Sequence, residues 1–219
     1  MQQLLQDIEH AKKHIHMQYF IFRNDESGTK IKHALMKKAK EGIEVRFLYD
    51  NVGSFPIPAR FYNEMKSAGV KVYPFLREKF VLKSRFNYRN HRKIVVIDGE
   101  IGYVGGMNVG NEYFCKGRWR DTHLRITGLG IYGLQSIFLL DWFTSGEKDI
   151  SAFGKYFPPT KTLGTTLLQT VSGGPNLAQK NLMLATMRIA NNAKQYLYIQ
   201  TPYFLPPQSL LDSLKIAGL

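Results

Sequence analysis

His91 and Lys93 stand two residues apart in the run Asn90-His91-Arg92-Lys93, and the apolar residues Ile94, Val95, Val96 and Ile97 follow at once. An apolar run closed by Asp98-Gly99 reads as a buried strand, and side chains at i and i+2 of an extended chain share a face. An imidazole and an ammonium group therefore stand side by side at the strand's entrance. The imidazole can act as a nucleophile or carry a proton near neutral pH, and the ammonium is a fixed positive charge. Together they suit an anionic phosphate ester. A second strand, residues 101–104, ends at Gly105-Gly106, where two glycines let backbone approach a bound group closely. Asn108 adds an amide that can donate to a phosphate oxygen.

The elements that position this cluster alternate. Apolar spacing predicts helices over residues 2–13, 29–41 and 58–69, each followed by an apolar strand, at 15–22, 43–49 and 70–75. That order argues an α/β domain around a largely buried sheet. Residues 131–143 are the longest apolar stretch, but Gln135, Ser136 and Asp141 interrupt it. It falls short of a membrane span, and Leu134, Ile137, Phe138 and Trp142 lie on one helical face, as in a core-facing helix. The start of the chain lacks the long apolar core of a signal peptide. Thirty basic and seventeen acidic residues leave a net charge of +13, which favours nucleic acid or an anionic membrane without choosing between them. Cys115, the single cysteine, excludes an intrachain disulfide and a cysteine-anchored zinc site. Residues 76–90 carry Arg77, Lys79, Lys83, Arg85 and Arg89 among aromatics and read as a basic loop at the mouth of the site. His10, His14, His16 and His33 are scattered and receive no role.

The spacing H-x-K, four residues, D, six residues, G-G-x-N, formed by His91, Lys93, Asp98, Gly105, Gly106 and Asn108, resembles the signature of the phospholipase D superfamily. Within it, residues 49–54, 87–93, 117–125 (G-R-W-R-D-T-H-L-R), 140–142 (L-D-W) and 199–204 (I-Q-T-P-Y-F) are similar to bacterial cardiolipin synthases. The resemblance implies an α-β-α sandwich with a mixed sheet. It also implies transfer of a phosphatidyl group between two phosphatidylglycerol molecules, giving cardiolipin and glycerol, without metal, nucleotide or other cofactor. A histidine would form a phosphohistidine, Lys93 and Asn108 would hold phosphoryl oxygens, and a second histidine would shuttle the proton. The expected setting is the bacterial cell membrane, peripherally, with an anionic phospholipid as partner and no nucleic acid.

The resemblance places Asp98 among the active-site residues. At about 3.3 Å per residue, however, an extended segment carries it some 16 Å from Lys93, so a structural role is expected for it. Asp121 is the better orienting partner for His91. Asp121, His123 and Arg125 alternate with Thr122, Leu124 and Ile126 and so share one strand face, and related enzymes carry an acid at a similar position. A salt bridge from Asp121 to Arg118 or Arg120 is the bland alternative, and His123 reads as a satisfied histidine near the site. Residues 49–54 are either a plain turn or a substrate-contacting loop.

The chain also repeats itself. Residues 11–18 (AKKHIHMQ) lie over 193–200 (AKQYLYIQ), and the apolar positions of the preceding helix match. The expected organisation is a first half over residues 1–145, a linker over 146–166 and the beginning of a second half over 167–219. A second H-x-K would fall near residue ~273 by the same shift, so a fragment is expected, completed by the missing half or by a homodimer. The family's membrane-spanning segments are likewise absent from the sequence. Two rival functions remain open: a nucleic-acid phosphodiesterase of the same superfamily, and an inactive half that only binds lipid.

Overall fold

A computed structural model describes residues 1–75, 89–114, 119–146, 152–159, 164–174, 181–201 and 203–218. Most of the basic stretch (residues 76–88), Cys115, Gly117, Arg118 and Pro202 lie outside them. The chain forms two compact units, Met1–Gln169 and Thr170–Leu219.

The first unit is built on a six-stranded mixed sheet in the order β3-β2-β1-β4-β5-β6. Its strands are β1 (His14–Tyr19), β2 (Glu44–Tyr49), β3 (Lys71–Pro74), β4 (Ile94–Ile97), β5 (Ile101–Gly105) and β6 (His123–Thr127). The first three are parallel, joined by the crossover helices α2 (Glu26–Lys40) and α3 (Ala59–Ser67). The last three run antiparallel to their neighbours, with β4 against β1 in the register Ile15↔Ile97 to Gln18↔Ile94. Antiparallel neighbours allow the tight Asp98-Gly99 turn, whereas parallel ones need a helix to return the chain. α2 begins where Asp25 accepts from the Gly28 N–H at 3.0 Å, a side-chain cap for one of the orphan amides of the first turn.

Alternation sorts the side chains between two cores. On one face Ile15, Met17, Val45, Phe47, Val95 and Ile97 pack with Leu4 and Ile8 of α1 (Gln2–Glu9), Ile31 and Leu35 of α2, and Phe61 and Met65 of α3. On the other, Ile94 and Val96 meet Ile131 and Leu134 of α5 (Ile131–Thr144), while Leu48 meets Phe138 and Trp142. Helices thus cover both faces of a mixed sheet, the α-β-α sandwich expected. A short helix α4 (Asn111–Phe114) follows the glycine pair.

β1 is buried along its whole length, and its second face is polar. His14 Nε2 and His16 Nδ1 lie 3.2 and 2.8 Å from the two ends of the Gln135 amide, and the His16 ring stacks on Phe138 at 4.6 Å. Tyr156 closes over both histidines, with ring centroids 4.8 and 4.6 Å away. Part of the stretch read as a linker is therefore core. Its Gly, Pro and Thr content hides the aromatic Tyr156, which is 1% exposed and belongs to the second apolar face.

Burial holds the pKa values of His14 and His16 below the ordinary histidine value, and that of His123 at about 4. Each group therefore takes up its proton at lower pH in the folded state than in the unfolded chain, where histidine titrates at about 6.5. The unfolded chain then binds more protons, and stability falls as pH falls. Lowering the pH from 6.5 to 5.5 is expected to remove at most about 1 kcal/mol for each of the three. Urea titrations across this window check it, because native carboxylates with lowered pKa values act only at lower pH. A pH-independent midpoint would contradict it.

The second unit holds α6 (Asn181–Asn192) and α7 (Gln208–Ala217). The helix expected from the repeat forms, but the strand expected after it does not. Tyr196 and Tyr198 are 70% and 88% exposed, and within this unit no described strand offers them a ladder. A lone extended segment leaves its backbone groups to water.

Candidate active site

The segment 89–93 leads into β4 and carries the histidine–lysine pair. The two side chains meet at one aromatic ring. The His91 imidazole stacks on Phe20 at 3.8 Å and 20°, and Lys93 Nζ lies 5.3 Å from the same ring. Lys93 Nζ also donates to the His91 carbonyl at 2.6 Å. An ammonium has three donors and this bond uses one. His91 is exposed and Lys93 is 8% exposed, so the imidazole faces outward over a partly buried cation.

Electrostatics tune both groups. Partial burial lowers the His91 pKa, the Lys93 charge lowers it further, and Asp50 opposes both. The ring is thus neutral at neutral pH and a nitrogen lone pair is available. Burial lowers the Lys93 pKa, and Asp121 works against the loss of its charge.

Phe20 carries no motif signal, and it is the loop after β2 that fixes it. Asp50, 2% exposed, accepts from the N–H groups of Val52 and Gly53 at 3.0 and 2.9 Å. Ser54 Oγ donates to the Phe20 carbonyl at 3.1 Å and accepts from the Phe22 N–H at 3.2 Å. A Cβ on Gly53 would stand 2.4 Å from the Phe20 carbonyl oxygen, so only glycine lets the loop press this close. The other Asp50 oxygen accepts from the Asn90 N–H at 3.1 Å. Residues 49–54, left between a plain turn and a substrate loop, clamp the floor on which His91 lies.

Asp121 differs from its expected place. Its carboxylate accepts from Trp119 Nε1 at 3.3 Å and from the Thr122 N–H at 2.8 Å, and its charge acts on Lys93 and His123. Among the described residues, the acid whose charge raises the His91 pKa is Asp50. The glycine pair explains the difference. A Cβ on Gly106 would stand 2.1 Å from Asp121 Oδ1, and one on Gly105 2.3 Å from the Thr122 carbonyl. What these glycines admit is the Asp121 carboxylate and the chain entering β6, in the space assigned to a bound phosphate.

Asn108, 7% exposed, accepts from the Ile21 N–H at 3.0 Å through Oδ1, which leaves its NH2 as the group that can donate. Asp98 stands at the far end of β4. Its carboxylate accepts from the N–H groups of Lys12, Lys13 and His14 at 2.8, 2.7 and 2.9 Å, so it does not join His91 and Lys93. His123 borders a cavity of about 260 Å³ shared with Tyr19, Tyr103 and Arg125. Arg125 pairs with Asp7, which also accepts from the Tyr103 hydroxyl. Among the described residues no three His, Cys, Asp or Glu side chains gather as a metal-binding group.

A family model described as cardiolipin synthase, PLD-like domain, matches residues 4–127. The chain belongs to this family. It is 44% identical to the major cardiolipin synthase ClsA of Bacillus subtilis, over all of this chain and 46% of that protein. It is 45% identical to a cardiolipin synthase of Staphylococcus aureus, over 99% of this chain and 45% of that one. The chain thus spans about half the length of the curated cardiolipin synthases it matches. Among solved structures, phosphatidylserine synthase of Haemophilus influenzae superposes with a TM-score of 0.65 at 17% identity, over 98% of this chain and 56% of that chain. Nuc of Salmonella typhimurium, a phospholipase D family member, superposes at 0.51 and 16% identity, over 66% of this chain and 87% of that chain. These likenesses place the cardiolipin synthase-like sheet and helices within the phospholipase D fold.

Proposed function

We propose that this chain supplies one imidazole–ammonium half of a phosphatidyltransferase that makes cardiolipin from two phosphatidylglycerol molecules. The observation that carries this is the shared position of His91 and Lys93 over Phe20, with the imidazole exposed and neutral, in a chain of the cardiolipin synthase family.

A His91 ring nitrogen attacks the phosphorus of one phosphatidylglycerol. The bond from phosphorus to the headgroup glycerol oxygen breaks, leaving phosphatidyl-histidine, and the departing oxygen takes a proton from a second imidazole. The headgroup hydroxyl of a second phosphatidylglycerol gives its proton to that imidazole and attacks phosphorus. The P–N bond breaks, cardiolipin leaves and His91 is restored. Lys93 and the Asn108 amide hold the phosphoryl oxygens as charge builds on them. The second imidazole comes from another H-x-K unit, on a second copy of the chain or on a companion half. A net charge of +13 supports docking at an anionic lipid surface, with the chain peripheral to the membrane. Among the described residues no helix is long and apolar enough to cross a bilayer.

The test incubates the chain with phosphatidylglycerol vesicles and, separately, with single-stranded DNA, and follows cardiolipin, glycerol and DNA fragments. Cardiolipin with stoichiometric glycerol is the expected result. DNA cleavage without lipid turnover would move the assignment to a nucleic-acid phosphodiesterase. Vesicle binding without turnover or a phosphatidyl adduct would leave a lipid-binding half.

A further inference from the structure

β4 gains its first ladder partner at Ile94, opposite Gln18, so the segment carrying His91 lies outside the sheet. Side chains do there what a ladder does elsewhere. Asp141 of α5, 6% exposed, accepts from Asn90 Nδ2 at 3.0 Å and from Arg92 Nη1 at 2.7 and 2.6 Å. Its Oδ2 also accepts from Gln18 Nε2 at 2.6 Å, which ties the group to β1. Asn90 Oδ1 in turn accepts from the Arg92 N–H at 3.0 Å. The alternation is complete: Asn90 and Arg92 turn toward α5, and His91 and Lys93 turn toward Phe20.

We propose that Asp141 is a positioning residue for His91, which it aims by holding the residues on either side of it. The inference rests on His91 being the reacting imidazole, and it adds a residue from the helix behind the sheet. Asp141 has a second effect. Arg92 sits one residue from both reacting groups and would compete for the same phosphate. Pairing with Asp141 draws its guanidinium to the opposite face, so Arg92 does not compete with Lys93 for the phosphate. A misaimed imidazole slows the chemical step, while a released Arg92 still binds the anionic lipid, so kcat and KM respond differently.

The test is Asp141→Asn, which keeps the shape and removes the charge. Two readouts are taken on the full chain. In histidine-labelled protein, the His91 ring protons are displaced upfield by the Phe20 ring, and the variant is expected to lose that displacement. With phosphatidylglycerol vesicles, kcat is expected to fall about 10- to 100-fold with KM unchanged or lower. If Asp141→Asn does not fold, Arg92→Gln replaces it. That side chain is 25% exposed, and the same loss of displacement is expected. A folded variant with the wild-type displacement and kcat overturns the proposal. Wild-type protein that turns over no lipid counts against the proposed function alone, since the ring displacement reads the positioning without turnover.

Discussion

His91→Ala is expected to lower phosphatidyl transfer at least about 10³-fold and to leave the fold intact, because the proposed covalent route uses His91 as its nucleophile. The side chain is exposed, and its ring contact is the stack on Phe20, so its removal opens no core cavity. The measurement is cardiolipin formed from phosphatidylglycerol vesicles, beside the thermal midpoint of both proteins. A variant with wild-type turnover would remove His91 from the reaction. The pH profile carries the same signature. Attack needs the neutral ring, and burial together with Lys93 moves its protonation below the usual histidine value. The acid limb is therefore expected below about pH 6.5, the ordinary histidine value. In Lys93→Met, which removes the lowering charge, that limb should move up in pH, measured on the residual activity.

Asp98→Ala is expected to destabilise the first unit by about 3–5 kcal/mol, among the largest effects of any single substitution here. Three N–H groups, those of Lys12, Lys13 and His14, would lose their charged acceptor at once. Asp98 also has φ 57°, in the left-handed region that aspartate and asparagine enter more easily than alanine. Asp98→Asn keeps the turn and one acceptor oxygen and should lose only part of that amount. Urea unfolding of the three proteins gives the order. An alanine variant within about 0.5 kcal/mol of wild type, the range of ordinary surface changes, would sink the argument.

The fold was legible because its cues are local. Each helix–strand repeat of the first half forms within a few residues of its expected bounds, and the buried run Ile94 to Ile97 is a central strand. The separation of Asp98 from Lys93 followed from the rise of an extended chain, which needs no tertiary knowledge. Asp121 was harder. An acid thirty residues from His91 can pair with any of several cations, and its choice depends on the absence of a Cβ at Gly106. Phe20 and Asp141 gave no chemical signal, one an aromatic within an expected strand and the other a charge interrupting an apolar helix. The motif Leu140-Asp141-Trp142 marked the position without a role.

By itself, the sequence determined the α/β order of the first half and the family, and it singled out the His91–Lys93 pair proposed to react, because residue type, spacing and periodicity are properties of the chain in one dimension. Tertiary structure alone decided which acid serves which base and what floor the imidazole lies on. It also decided what turns Arg92 away from the lysine. Those pairings join residues tens of positions apart, and their energies depend on a few ångströms of separation and on exclusion of water, which only the packed sheet and its helices define.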